Sequence, residues 1–191
     1  RAWLVRGSRI ATGSGAAQVR TVGEEVIREF YVHGVSIVEV RRGANGTWTT
    51  VQDSPFNRRV HTLTDVALSG PAARNAAMAT KYSPDGSRTR GTINNCGNGF
   101  TPWGTYLTCE ENFNGYFGTT SGIDTRDTHM KRYGISALES GYRWEEFDDR
   151  FDYVKDPNES NRFGWIVEID PFDPNSIPKK RTALGRFKHE N

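Results

Sequence analysis

The residues best suited to chemistry lie in one stretch, from Asn94 to Asn112, which reads NNCGNGFTPWGTYLTCEEN. It places a cysteine, Cys96, and two adjacent carboxylates, Glu110 and Glu111, on either side of a turn rich in glycine and proline. Thiolates and carboxylates both bind metal ions. On the residues alone, Cys96 can be a metal ligand or a small buried apolar side chain, and the latter is the more common role.

The elements that position these residues can be predicted locally. Glycines and a proline between positions 97 and 104 predict a tight loop that can approach a ligand closely. Thr105 to Glu111 is rich in β-forming residues and predicts a short strand. Neighbouring side chains on a strand point to opposite faces, so we expect one of Glu110 and Glu111 to bind a metal. The other then orients a neighbouring group or lies on the outer face.

Two further pairs have suitable donor atoms. His189 and Glu190 follow a predicted strand and could supply a metal ligand and the partner that orients it. The amide oxygens of Asn94 and Asn95 are hard enough for calcium, although both residues could equally stabilise the turn.

The bulk properties restrict the function classes. A chain of 191 residues can form one sizeable core, and a net charge of +2 argues against a dedicated nucleic-acid binder. No apolar run is long enough to span a membrane. The two cysteines, Cys96 and Cys109, could form a disulfide in an exported protein. Because the chain begins with arginine and ends within a motif, we expect an internal piece of a longer protein.

The remaining pattern is that of a loop-rich β-protein. Helical spacing predicts a helix over Gly23–His33 with Gly34 as its C-cap. The turn Asn45-Gly46 between Val35–Arg41 and Thr47–Val51 predicts a hairpin, with Trp48 as a packing residue. Further strands are predicted at Ala2–Val5, Met78–Tyr82, Phe163–Ile169 and Thr182–Lys188, and a loop at Ile10–Arg20.

Two charged stretches leave alternatives open. Arg58, Arg59 and His61 could face a phosphate, but an exposed basic edge is the favoured interpretation. The acidic segment Glu139–Glu159 could bind calcium, but it lacks the spacing of an EF-hand loop, and a solvated loop or a short amphipathic helix is favoured.

Three motifs resemble the PhoX-type alkaline phosphatases, a bacterial family with a β-propeller fold. The first is TPWGTYLTCEEN directly after NNC, the second runs from Gly164 to Glu190 (GWIVEIDPFDP, then KRTALGRFKHE), and the third and weakest is HGVSIVEVRR from His33 to Arg42. The resemblance implies an all-β fold, part of a β-propeller with helical and loop insertions. Residues 1–191 would then be a single partial domain, cut at both ends.

The resemblance also implies a metal centre of Fe3+ and Ca2+. It makes Cys96 and Glu190 iron ligands, adds Glu110 or Glu111 as a ligand, and lowers the expectation of a disulfide. A thiolate beside carboxylates suits a ferric ion better than calcium. Asn95 and His189 are expected to orient a ligand or to contact the substrate phosphate.

The function implied is that of an alkaline phosphatase, a hydrolase of small phosphate monoesters. The resemblance further implies a periplasmic or secreted protein, which we expect to be a monomer. The chain has no nucleophile elbow, Walker A motif or HExxH motif, so the sequence does not support the common classes of hydrolase that these motifs mark. Two alternatives remain: a non-catalytic, calcium-stabilised β-propeller binding module, and a propeller hydrolase acting on a nucleotide or phytate.

Overall fold

The computed structural model describes residues 23–190. The predicted strand Ala2–Val5 and the predicted loop Ile10–Arg20 lie outside the described residues. None of the helices within 23–190 is long and apolar enough to cross a membrane.

The fold is organised around a six-stranded mixed sheet. Its strands, in chain order, are β5 (Asp65–Ser69), β6 (Arg88–Arg90), β7 (Asn95–Phe100), β8 (Tyr106–Glu110), β9 (Ile166–Ile169) and β10 (Lys179–Arg181). Their order across the sheet is β6-β5-β10-β9-β8-β7, with β10 parallel to β5 and every other pair antiparallel. The strand that carries Cys96, β7, therefore forms one edge of the sheet.

Shorter elements surround this sheet. Two small two-stranded sheets pair β1 (Val35–Ile37) with β4 (Arg58–Val60) and β2 (Val40–Arg42) with β3 (Trp48–Thr50). Within the described residues, the α-helices are α1 (Gly23–Val32) and α2 (Thr128–Tyr133). Short 3-10 helices lie at Ala76–Met78, Phe113–Tyr116, Trp144–Glu146, Asp149–Phe151, Glu159–Arg162 and Thr182–Leu184.

The predicted first helix is confirmed. α1 buries Val26 and Phe30, one turn apart, as the helical spacing requires. Gly34 follows it with φ +95°, a left-handed conformation that favours glycine, and an added Cβ would meet the backbone of Val60.

The predicted hairpin is also confirmed, with two corrections. Val40 pairs with Thr50 and Arg42 with Trp48, around the expected Asn-Gly turn. The predicted strand Val35–Arg41 is divided, because β1 pairs with β4 whereas β2 pairs with β3. The prediction for Trp48 is wrong, since this side chain is 63% exposed.

Other boundaries differ where tertiary pairing decides them. The first half of the loop predicted between positions 97 and 104 belongs to strand β7, because Asn98 to Phe100 pair with β8, whereas residues 101–104 form the predicted turn. Met78–Tyr82 forms no strand, since Ala76–Met78 is a 3-10 helix followed by a turn. The last predicted strand, Thr182–Lys188, is shifted: β10 lies just before it, inserted between β5 and β9, and position 182 begins a 3-10 helix.

Three carboxylates of the acidic segment, Glu145, Asp152 and Glu159, are buried rather than solvated. Glu159 is buried between Arg150 and Arg162, with Glu159 Oε2 at 2.7 Å from an Arg162 Nη2 atom. Burial raises the pKa of Glu159, but the two guanidinium groups outweigh this effect and hold it below its ordinary value. The favoured interpretation of this segment is therefore wrong for Glu159, which closes a buried ion-pair network.

Candidate functional site

The site begins at the edge hairpin of the sheet. Asn95 on β7 pairs with Glu110 on β8, and the register shifts between Asn95 and Asn98. Just before β7, Asn94 adopts φ +47°, a left-handed conformation that costs energy for a residue other than glycine. Its carbonyl accepts a hydrogen bond of 2.9 Å from the N–H of Glu111. This backbone link brings Cys96 and Glu111 to the same end of the hairpin.

Cys96 and Glu111 are in contact through their side chains. The Sγ atom of Cys96 lies 3.7 Å from Oε2 of Glu111 and donates to Oδ1 of Asn94 at 3.3 Å. The same carboxylate oxygen of Glu111 accepts from the side-chain amide of Asn112. Cys96 is half-buried and Glu111 is buried, so a thiol, a carboxylate and an amide oxygen converge in a partly enclosed place.

The two cysteines form no disulfide. Cys96 and Cys109 both remain in the thiol form, and Cys109 is buried on β8. Burial raises the pKa of the Cys109 thiol, and the neighbouring Glu110 adds to the shift. Cys109 therefore behaves as an inert core residue, whereas the thiol of Cys96 lies beside a carboxylate.

Glu110 points to the other face of β8, as strand geometry predicts. Its Oε1 lies 2.8 Å from Nζ of Lys180, and both side chains are fully buried. Its Oε2 accepts from the backbone N–H groups of Gly164 at 3.0 Å and Trp165 at 3.1 Å. Of the two adjacent glutamates, Glu111 is thus the one beside Cys96.

The end of the chain approaches the same hairpin through its backbone. The N–H of His189 donates to the carbonyl of Glu110 at 3.2 Å, so Glu190 lies one residue beyond this link. The His189 ring is buried, stacks near Phe187 with ring centroids 3.6 Å apart, and places Nε2 at 3.1 Å from the carbonyl of Gly185. Glu190 is exposed.

Asn95 has one polar atom without a partner. Its side-chain amide donates to Oγ1 of Thr92 at 2.8 Å, while its buried Oδ1 accepts no hydrogen bond among the described residues. Buried polar atoms are normally satisfied, so an orphaned amide oxygen beside Cys96 in the chain is suited to an additional ligand.

A buried polar network adjoins Cys96, and no local pattern in the sequence predicts it. The hydroxyl of Tyr116 lies 3.1 Å from Nε2 of His33, and the Tyr116 ring stacks on Tyr142 at 4.0 Å. Burial raises the pKa of Tyr116 strongly, and Tyr142, Cys96 and Glu29 add to this shift. Tyr116 therefore stays protonated and able to donate a hydrogen bond beside the thiol.

The basic residues of β4 have a structural role. Arg59 donates to the carbonyls of Tyr31 at 2.7 Å and Val32 at 2.6 Å, and to Oγ of Ser36 at 2.6 Å. It thereby binds the last carbonyls of α1, which have no partners within the helix. His61 is half-buried, and burial lowers its pKa. The favoured interpretation as an exposed basic edge is wrong for Arg59, because this guanidinium caps a helix.

The metal-binding groups present fit only part of a metal centre. Within residues 23–190, no three His, Cys, Asp or Glu side chains gather in a way that could hold a metal ion. Cys96 and Glu111 provide two adjacent donors, a soft thiol and a hard carboxylate. This donor set is compatible with iron, and further ligands would be needed to complete the coordination.

Because a thiol and a carboxylate meet at this edge of the sheet, the chain is a candidate metal-binding protein. The family model described as alkaline phosphatase PhoX matches residues 7–191, and the chain belongs to this family. The sequence-based family assignment is therefore confirmed.

A solved structure agrees with this assignment. The chain is similar to "Pseudomonas fluorescens PhoX in complex with vanadate, a transition state analogue", with 52% sequence identity and a TM-score of 0.85. The match covers 88% of this chain and 29% of that chain. The chain thus spans less than a third of the length of the protein that it resembles. No curated protein matches the chain significantly.

Proposed function

We propose that the protein containing this chain hydrolyses small phosphate monoesters with the help of bound metal ions. The observation that carries the proposal is the contact between Cys96 and Glu111, in a chain of the PhoX family. The complex of the similar Pseudomonas fluorescens protein with vanadate, a transition state analogue, supports this class of reaction. A phosphoryl group in transfer carries negative charge that must be neutralised.

The proposed metal ligands are Cys96, Glu111 and Glu190. The contacts of Glu110 with Lys180 favour Glu111 as the metal-binding member of the glutamate pair. Iron is the metal that we expect at the thiol, and calcium is expected at oxygen ligands nearby. Bound metal ions would supply positive charge for the phosphoryl oxygens and would align the attacking and leaving groups. Since two donors cannot complete a coordination shell, we expect further ligands from other parts of the protein.

The other residues of the site hold these groups in place. The amide of Asn112 and the backbone of Asn94 fix Glu111, so its carboxylate is oriented before a metal binds. Tyr116, held by His33, is buried close enough to Cys96 for the two groups to interact electrostatically. We expect Asn95 and His189 to orient a ligand or to contact the substrate.

The remaining expectations follow from the family. We propose that the sheet of residues 23–190 is part of a β-propeller, that the protein is periplasmic or secreted, and that it acts as a monomer. The 29% coverage of the similar structure supports the view that this chain is one part of a larger fold.

The function is tested with the purified protein in its natural full length. We expect it to release phosphate from p-nitrophenyl phosphate, to be inhibited by vanadate, and to lose activity when calcium is chelated. A parallel panel with a nucleotide and phytate separates a monoesterase of broad range from a more specialised hydrolase. Calcium binding without hydrolysis of any of these compounds would contradict the proposal and favour the non-catalytic propeller.

A further inference from the structure

The buried ion pair between Glu110 and Lys180 has no role in the proposed chemistry. Neither side chain is exposed, and the two charged atoms are 2.8 Å apart. Removing two charges from water is expensive, and apolar residues could fill the same volume at lower cost. Stability alone therefore does not explain why a buried ion pair is present at this place.

Glu110 connects three segments of the chain. Its side chain accepts from the N–H groups of Gly164 and Trp165, at the entry to β9, and meets Lys180 on β10. Its carbonyl accepts the N–H of His189, which precedes the proposed ligand Glu190. Glu111, another proposed ligand, follows it directly.

Lys180 fixes the other end of the pair. Its Nζ donates to the carbonyl of Arg162 at 2.6 Å and lies 3.8 Å from the centre of the Phe163 ring. The ammonium group is thus held by a carboxylate, a carbonyl and an aromatic face, with no exposure to solvent. Because Lys180 is fixed by these contacts, the Glu110 carboxylate that pairs with it is held in one position.

We propose that Glu110 and Lys180 are positioning residues for the metal centre, forming an ionic anchor that fixes the segments carrying Glu111 and Glu190 relative to each other. This inference rests on the proposed function for its metal, and it assigns Glu110 a role on the face of β8 opposite the metal. Loss of the anchor would let the segments that carry Glu111 and Glu190 move apart. Metal occupancy and kcat would then fall, whereas KM would change less.

The test uses Lys180→Met in the full-length protein, with Lys179→Met as the matched control. Lys179 is the preceding residue of β10 and its side chain is exposed. The first readout is hydrogen exchange in the peptide covering residues 186–190, which requires neither metal nor activity. We expect exchange to be at least tenfold faster in Lys180→Met and unchanged in Lys179→Met.

The second readout is the iron content, measured beside kcat and KM. A double variant, Glu110→Gln with Lys180→Met, removes both charges and keeps an acceptor for the N–H groups of Gly164 and Trp165. We expect Lys180→Met to lose more than half of its iron and the double variant to recover most of it. Recovery also provides a folded protein if Lys180→Met alone does not fold.

The outcomes separate this inference from the proposed function. Wild-type protein without phosphatase activity would refute the function, whereas the exchange rates would still test the anchor. Equal exchange in Lys180→Met and Lys179→Met, or iron that stays depleted in the double variant, would overturn the positioning role. Depletion in the double variant would instead favour direct metal ligation by Glu110.

Discussion

Cys96 Sγ and Glu111 Oε2 lie 3.7 Å apart, although fourteen residues separate them in the chain and the turn of the β7–β8 hairpin lies between them. The contact depends on the hydrogen bond from the N–H of Glu111 to the carbonyl of Asn94, a residue in the left-handed conformation. The strained backbone of Asn94 persists because the surrounding structure holds it in place, and such strain is common at functional sites.

Arg59 should matter for stability and not for substrate binding. Replacing it by methionine removes charged hydrogen bonds to the carbonyls at the end of α1 and to Ser36, so we expect a loss on the order of 2 kcal/mol in the free energy of unfolding. Arg41→Met, on the exposed surface, serves as the control. Denaturant unfolding gives the stability, and KM for a phosphate monoester checks the alternative role. A KM raised tenfold with unchanged stability would show that Arg59 binds phosphate instead.

Glu159 should be more important for stability than any exposed acidic residue of its segment. Glu159→Gln leaves two buried guanidinium groups without their carboxylate, which should cost about 3 to 5 kcal/mol. The control is Asp149→Asn, which breaks an exposed pair with Lys155 and should cost about 0 to 1 kcal/mol. Both are measured by chemical denaturation with and without calcium. Equal losses, or a loss for Asp149→Asn that is larger with calcium than without it, would contradict the structural interpretation.

Much of the local structure could be predicted from the sequence, because short-range signals decide it. The helix before Gly34 and the Asn45-Gly46 hairpin follow from spacing and turn chemistry. The opposite orientation of Glu110 and Glu111 follows from strand geometry. Cys96 and Glu111 lie in the first family motif, and the structure brings them into contact.

The remaining features depend on long-range pairing, which the sequence does not reveal. β10 is only three residues long and lies between β5 and β9, so its position is fixed by partners far away in the chain. Lys180 has no periodic signal, and although it is the first residue of the motif KRTALGRFKHE, the sequence does not reveal that it pairs with Glu110. His33 is the first residue of the motif HGVSIVEVRR, but only the fold shows that its ring contacts Tyr116.

Glu168 should make the protein sensitive to acid. Burial raises the pKa of Glu168, but hydrogen bonds from Arg181, Thr105 and Trp103 outweigh this effect and lower it to about 2. Because the folded pKa lies below the unfolded value of 4.5, the stabilisation is complete above that pH and is lost as the pH falls towards 2.

The corresponding variant is Glu168→Gln. We expect it to be less stable than wild type at pH 7 by on the order of 3 kcal/mol, with the difference shrinking as the pH falls from 4.5 to 2. Glu139→Gln, at an exposed position, controls for the loss of one charge. Unfolding curves at several pH values provide the comparison, and a difference that stays constant between pH 7 and pH 2 would rule out the lowered pKa.

The most direct test of the account is elemental analysis of the full-length protein in three forms: wild type, Cys96→Ala and Cys109→Ala. Cys109 is a buried thiol on the neighbouring strand and controls for the loss of a cysteine. We predict iron and calcium in the wild type, iron retained in Cys109→Ala and iron lost in Cys96→Ala. Calcium alone in the wild type, or an iron content that does not change when Cys96 is replaced, would contradict the proposed metal site.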